Sequence, residues 1–150
     1  MSTPIRLAIP RRLYEDMVAQ AVKELPNECC GFLAGRVVTE LADQAHGTSL
    51  GQVVERYPLA NEAASPVEYF SERANFEAQR EIHKRGLDIL ALYHSHPTTD
   101  PVPSRKDLER NYWGSELVHL IISLKAAEPL VRGWHLFESE YREADWRIDY

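Results

Sequence analysis

The chain has 150 residues and a formal net charge of −6 at pH 7, with 44% hydrophobic and 27% charged residues. This length and composition are ordinary for one globular domain with a sizeable hydrophobic core. The acidic balance argues against nucleic-acid binding, which normally relies on a basic patch. The sequence holds no apolar run long enough to span a membrane and no apolar N-terminal stretch typical of a signal peptide. We therefore expect a cytoplasmic protein with no nucleic-acid partner and no membrane contact; no feature indicates an oligomeric state.

The first part of the chain alternates between strand and helix patterns. A short strand is predicted over residues 5–9, and Pro10 begins a helix that ends at Pro26. The helical period comes from the apolar side chains Leu13, Met17, Val18, Ala21, Val22 and Leu25. Residues 29–38 predict a central strand, because both of its faces are apolar near its start. Residues 40–51, which include two glycines, predict a loop or hairpin.

The rest of the chain continues the alternation. Apolar positions at Phe70, Ala74, Ala78 and Ile82 predict a helix over residues 70–85 that stops at Gly86. Further strands are predicted over residues 52–60, 89–93, 117–124 and 131–137, and a helix from Ser104. The sequence shows no repeat or linker. This order predicts a single α/β domain in which helices flank a mixed sheet.

The most informative stretch follows the apolar strand 89–93. His94 and His96 are two residues apart, so on a strand they point the same way. A loop with three prolines follows, and Ser104 then opens a helix with Asp107 in its first turn. Two imidazoles and one carboxylate are the ligand set of a catalytic zinc site, which leaves a fourth position to water. The spacing thus predicts a zinc site at His94, His96 and Asp107.

Two alternatives accompany this prediction. Ser104 and Asp107 are also what a helix N-cap followed by an acidic first turn requires, without any metal. Asp100 is a competing carboxylate close to the histidines, although it lies in the proline-rich loop, whereas Asp107 is placed by a helix turn. We prefer Asp107 as the third ligand.

The remaining histidines and the cysteines are expected to have no role as ligands. His119 and His135 lie in apolar strands, and His83 and His46 lie on a charged helix and in a loop. The two cysteines, Cys29 and Cys30, are adjacent and cannot form a disulfide framework, so we expect both to be reduced and buried.

At these residues the chain resembles the JAMM (MPN-type, Mov34/MPN/PAD-1) zinc metalloproteases. The family pattern combines an upstream glutamate with His-Ser/Thr-His-Pro and with Ser-x-x-Asp, which begins after seven residues that follow the second histidine. It is matched by residues 94–97, Ser104 and Asp107, and the segment 26–35 resembles the strand that carries the glutamate, here Glu28. The segment 61–66 is similar to one in stand-alone bacterial members. The resemblance spans roughly residues 5–140.

The resemblance implies a fold and a site. The fold is a single-domain mixed-sheet α/β sandwich with a cytidine-deaminase-like MPN core, as one metalloprotease domain over residues 1–150. Zn²⁺, held by His94, His96 and Asp107, lowers the pKa of a bound water to about 7. Glu28 is then the candidate base that moves the proton to the leaving amine. Ser104 is the candidate oxyanion donor, a role that can coexist with capping the helix.

Three functions are compatible with these residues. The first is a JAMM-type peptidase or isopeptidase, acting on the Gly-Gly tail of a small ubiquitin-like sulfur-carrier protein or, alternatively, as a deubiquitinase. The second is a non-catalytic MPN-type interaction module, which the complete ligand set disfavours. The third is a zinc deaminase, whose His-x-Glu and Pro-Cys-x-x-Cys motifs are missing from the sequence.

Overall fold

A computed structural model describes residues 5–38 and 49–149. Within them, the helices are α1 (Arg11–Lys23), α2 (Arg73–Lys84) and α3 (Arg105–Glu109). The strands are β1 (Ile5–Pro10), β2 (Cys30–Val38), β3 (Ser49–Leu59), β4 (Asp88–His96), β5 (Val118–Ser123), β6 (Leu130–Leu136), β7 (Tyr141–Glu143) and β8 (Trp146–Asp149). The predicted loop or hairpin over residues 40–51 lies mostly outside the described residues, and Gly51 belongs to β3.

The strands form one mixed sheet in the order β7-β6-β5-β4-β2-β3-β1-β8. The pairs β1–β3, β1–β8 and β4–β5 are parallel, and the other neighbours are antiparallel. The predicted central position of β2 is confirmed, since it lies between β4 and β3 and its first six residues are buried. The mixed α/β architecture expected from the order of elements is confirmed as well.

Each face of the sheet packs against one long helix. Successive residues of a strand point to opposite faces, so the adjacent Phe32 and Leu33 of β2 enter two different clusters. Leu33 packs in the cluster that contains the α1 residues Leu13, Met17 and Ala21. Phe32 packs in the cluster that contains the α2 residues Ala78 and Ile82. We call these the α1 face and the α2 face.

The predicted helix α1 is too long at its end. Leu13, Met17 and Ala21 are buried as expected, whereas Val22 and Leu25 are 50% and 45% exposed. The helix ends at Lys23, and Leu25 lies beyond it. The apolar pattern of the sequence continues past the last turn that faces the sheet, where apolar side chains remain in solvent.

The predicted start of α2 is also wrong. The helix begins at Arg73 rather than at residue 70, and Phe70 lies before it with 52% of its surface exposed. Its predicted stop is confirmed, because Gly86 has a φ of +67°, a conformation that side chains other than glycine rarely adopt. Strands β7 and β8 are not predicted by the sequence, since three- and four-residue strands carry almost no pattern of their own. No helix in the described ranges is long and apolar enough to cross a membrane.

Candidate metal centre

The pairing of β2 with β4 brings Glu28 to the histidines. The two strands are antiparallel and Cys30 is paired with His94, so the start of β2 lies beside the end of β4. One step further, the Ser95 N–H donates to the Cys29 carbonyl at 3.1 Å, and the Cys29 N–H donates to Ser95 Oγ at 2.8 Å. Glu28, the residue before Cys29, is therefore held at the end of β4 where the histidines emerge.

Three ligand-type atoms meet at this end of β4. His94 Nε2 lies 3.1 Å from His96 Nε2, and Asp107 Oδ2 lies 3.2 Å from each of them. His94 and His96 are 1% and 4% exposed, and the Asp107 side chain is 8% exposed. The structure thus brings together the three residues that the sequence singled out as a metal site, as the one such group in the described part of the chain.

The geometry fits a tetrahedral metal ion. Nitrogen and oxygen ligands about 2.0–2.1 Å from zinc lie roughly 3.3–3.4 Å from each other in a tetrahedron. The observed edges of 3.1–3.2 Å are close to that value. His96 Nδ1 lies 2.9 Å from the Asp100 carbonyl, a contact in which Nδ1 donates and leaves the Nε2 lone pair free for a metal. The donor set and its spacing therefore suit zinc.

Asp107, and not the carboxylate of Asp100, reaches the histidines. The Asp100 side chain is largely exposed and pairs with Lys125 at 3.3 Å. Its contribution to the site is its backbone carbonyl. The difference follows from the chain path, because α3 turns Asp107 back toward β4 whereas the proline-rich loop carries the Asp100 side chain outward.

A reciprocal cap at the start of α3 holds Asp107 in place. The Asp107 N–H donates to Ser104 Oγ at 3.2 Å, and the Ser104 N–H donates to Asp107 Oδ2 at 2.9 Å. The capping alternative for Ser104 is thus realised, while its hydroxyl hydrogen stays available to donate. Burial raises the pKa of Asp107, but the neighbouring His94, His96 and Ser104 amide outweigh burial and hold that pKa well below its usual range.

Glu28 is a buried carboxylate without a fixed side-chain partner. It is 3% exposed, and its Oε1 atom has no hydrogen-bond partner among the described residues. Burial raises the pKa of Glu28 to about 7, and the nearby His94 and His96 limit the increase. A carboxylate with such a pKa can both accept and release a proton near neutrality.

Two residues to which the sequence assigned no role also shape the site. The Tyr69 ring stacks on the His94 ring, with centroids 4.8 Å apart and an interplanar angle of 27°. Ser95 links β4 to the Cys29 amide from the opposite face of the strand. The position of Ser95 between the two histidines was a usable signal, whereas nothing local distinguishes Tyr69 from other aromatic residues.

The other histidines stay outside this group. His119 is 3% exposed on β5, and burial lowers its pKa to about 3. His135 Nδ1 lies 3.1 Å from the Ser115 carbonyl, and His83 lies in the last turn of α2. His46 lies outside the described residues. The prediction of reduced and buried cysteines is confirmed: Cys29 and Cys30 are free, and burial raises both thiol pKa values to about 12.

A cavity of about 560 Å³ opens beside Asp107. Its walls are largely aromatic and aliphatic, and they include Phe32, Tyr69, Leu92, Tyr112 and Trp113. The cavity lies on the α2 face, the same side of the sheet as the three ligand-type atoms. It supplies room for part of a substrate next to the candidate metal ligands.

Several known proteins have similar sequences. A "Probable TtuB-protein conjugate cleaving protease" of Thermus thermophilus is 33% identical over 110 residues, which cover 71% of this chain and 64% of that protein. A "Desampylase" of Haloferax volcanii is 36% identical over 111 residues, which cover 69% of this chain and 67% of that protein. The chain therefore spans only about two thirds of the length of these relatives.

A solved structure of similar fold covers more of the chain. The solution structure of a protein from Desulfitobacterium hafniense matches with a TM-score of 0.79 and 29% identity, over 95% of this chain and 92% of that one. The family model described as "Prokaryotic homologs of the JAB domain" matches residues 10–136, and this match includes Glu28 and all three ligand-type residues. The chain therefore belongs to the family of prokaryotic homologs of the JAB domain.

Proposed function

We propose that the protein is a zinc-dependent peptidase or isopeptidase that hydrolyses an amide at the C-terminal Gly-Gly tail of a small ubiquitin-like sulfur-carrier protein. The observation that carries the proposal is the meeting of three ligand-type atoms with a buried carboxylate at the end of β4. The family supports the reaction class. The names of the Thermus and Haloferax relatives, a conjugate-cleaving protease and a desampylase, support a protein conjugate as substrate.

In this proposal the chain supplies both the metal ligands and the proton transfer. His94, His96 and Asp107 would hold Zn²⁺. When bound, zinc lowers the pKa of a water ligand to about 7 and polarises the amide carbonyl. Glu28 takes the proton of the attacking water and returns it to the leaving amine, for which its raised pKa is suited.

Ser104 is proposed to stabilise the developing oxyanion. Its Oγ accepts from the Asp107 amide, so the hydroxyl hydrogen can point toward the reacting carbonyl. The cavity beside Asp107 is then the place where the residues next to the scissile amide lie.

The substrate is tested by comparing two candidate substrates side by side. The purified protein is incubated with a sulfur carrier bearing a C-terminal extension and, separately, with Lys-linked diubiquitin, and both are followed by mass spectrometry. We expect release of the extension after Gly-Gly. Cleavage of diubiquitin with an untouched carrier would favour the deubiquitinase alternative, and cleavage of neither by the zinc-loaded protein would favour the non-catalytic module.

The cofactor is tested by elemental analysis of protein purified without chelators. We expect about one zinc per chain. Iron in its place would contradict the zinc proposal, because two histidines and one carboxylate also bind iron in oxygenases. The matched control for replacing an acidic residue of the site is Glu15→Gln, because Glu15 is an exposed carboxylate on α1.

A further inference from the structure

Hydrogen bonds fix the backbone of Glu28 rather than its side chain. The Glu28 N–H donates to the Ser65 carbonyl at 2.8 Å, and the Glu28 carbonyl accepts from Asn61 Nδ2 at 2.9 Å. Its carboxylate, by contrast, has one buried oxygen with no partner among the described residues. The position of the carboxylate therefore depends on the segment 61–70.

The Asn61 side chain uses all of its hydrogen-bonding capacity. Its Nδ2 donates to the carbonyls of Glu28 and Glu68, at 2.9 and 3.0 Å. Its Oδ1 accepts from the N–H groups of Ala63 and Phe70, at 3.1 and 3.0 Å. An amide has two donor hydrogens and two acceptor lone pairs, and all four are occupied. Since the partners are two carbonyls and two N–H groups, only one orientation of the amide satisfies them.

The far end of the same segment contacts the candidate metal ligands. Tyr69 stacks on the His94 ring. The Glu68 carboxylate pairs with Lys106 of α3 at 3.1 Å and with Arg110 at 3.2 Å. Asn61 thus ties the backbone of Glu28 to a segment that rests on one ligand and is paired with the helix of another.

We propose that Asn61 is a positioning residue that sets the location of the Glu28 carboxylate by clamping the Glu28 carbonyl. The kinetic consequence rests on the proposed function, in which Glu28 moves a proton. The two halves of the Asn61 amide have different tasks. The oxygen bonds only within the segment 61–70, whereas the nitrogen joins Glu68 of that segment to Glu28.

Asn61→Asp keeps the contacts of the oxygen and removes both contacts of the nitrogen. Aspartate keeps the acceptor for the Ala63 and Phe70 amides but replaces the donor with an oxygen that repels the carbonyls of Glu28 and Glu68. We expect kcat to fall about 10–100-fold with KM and zinc content unchanged, a loss typical of residues that support a metal site from behind its ligands. In hydrogen exchange, the Glu28 amide should lose protection while the Phe70 amide keeps it.

Two further variants distinguish the clamp from an effect of charge and from a general loss of structure. Asn27→Asp places the same charge one residue from Glu28, at a position whose backbone N–H donates to the Glu24 carbonyl. If the added charge alone has no effect, this variant should keep kcat within about twofold of the wild type. That change is far smaller than the 10–100-fold loss expected at Asn61. In a Glu28→Gln background, adding Asn61→Asp should cost no further activity, because the two residues act through one proton transfer. A full additional loss would indicate a general structural role and overturn the proposal.

The outcomes remain decisive if one variant does not fold or if the substrate is wrong. Should Asn61→Asp be unfolded, Asn61→Ala takes its place with the same kinetic expectation. Should wild-type protein cleave none of the substrates, the proposed function fails, and hydrogen exchange alone decides the role of Asn61. Unchanged protection of the Glu28 amide in both variants, or an unchanged kcat, overturns the proposal.

Discussion

The two faces of the sheet differ in whether their buried polar groups are hydrogen-bonded, and adjacent residues of β4 show the contrast. Tyr93 points to the α1 face and is fully buried, yet its hydroxyl donates to Gln20 and accepts from Arg56. His94 points to the α2 face and is equally buried, yet its Nδ1 has no partner among the described residues. Burying an unpaired polar group costs about 1–3 kcal/mol.

This difference indicates what each face is for. On the α1 face the buried polar side chains of Tyr93 and Ser95 are hydrogen-bonded, and a continuous apolar cluster contributes stability. On the α2 face, Glu28 Oε1 and His94 Nδ1 have no partner among the described residues. For the Glu28 carboxylate, which lies beside the candidate metal ligands, this cost is expected where a ligand is to be bound. Substitutions on the two faces should therefore separate loss of function from loss of stability.

The largest effect is expected for His96→Ala. Removing one of three ligands leaves two, so zinc content should fall to near zero and peptidase activity below detection, measured by elemental analysis and mass spectrometry. His83→Ala, on α2 away from the site, is the control. A variant that keeps stoichiometric zinc would show that His96 is not a ligand.

Glu28→Gln should come next. An amide of the same size cannot move the proton, so kcat should fall about 10²–10⁴-fold while zinc and fold are kept. Full activity would remove Glu28 from the mechanism.

The same variant gives a pH test in metal-free protein. The pKa of Glu28 is raised from 4.5 to about 7, so its stabilising contribution is complete below pH 4.5 and is lost as pH rises through 7. Glutamine cannot ionise, and Glu28→Gln should therefore melt at a higher temperature than wild type at pH 8. The two proteins should differ little in this respect at pH 4, and an equal melting temperature at pH 8 would contradict the buried-carboxylate interpretation.

Substitutions of Ser104 should have a smaller effect, part of it on kcat and part on stability. Both Ser104→Ala and Ser104→Gly remove the hydroxyl donor, and each should lose about 10²–10³-fold in kcat if Ser104 stabilises the oxyanion. Alanine costs about 1 kcal/mol at a helix N-cap, whereas glycine costs a few tenths. Thermal unfolding thus measures the contribution of the helix cap, and kinetics measures the contribution of the hydroxyl donor. If the loss in kcat were larger for the less stable of the two variants, Ser104 would act only as a cap.

Tyr93→Phe should give the smallest effect, on stability only. Loss of the hydroxyl bonds with Arg56 and Gln20 should lower the free energy of unfolding by about 1–2 kcal/mol, measured by denaturant titration. Zinc content and kcat should match the wild type. A loss of metal would show that the two faces are coupled more tightly than their hydrogen bonds suggest.

Local patterns in the sequence were enough to predict which three ligand-type residues the structure brings together. The separation of His94 and His96 follows from the two-residue period of a strand. The cap between Ser104 and Asp107 needs four consecutive residues, and its geometry is confirmed. Helical periodicity predicted the buried residues of α1 and α2, because apolar side chains recur every three or four residues along one face of a helix.

Only the tertiary structure decided which residues meet from distant parts of the chain. Glu28 reaches the histidines through the antiparallel register of β2 and β4, which no local pattern encodes. Tyr69 and Asn61 join the site through a segment whose hydrogen bonds connect residues far apart in sequence. The short strands β7 and β8 exist because β6 and β1 offer them backbone partners. Local periodicity is a property of neighbouring residues, whereas these contacts depend on how the whole sheet is ordered.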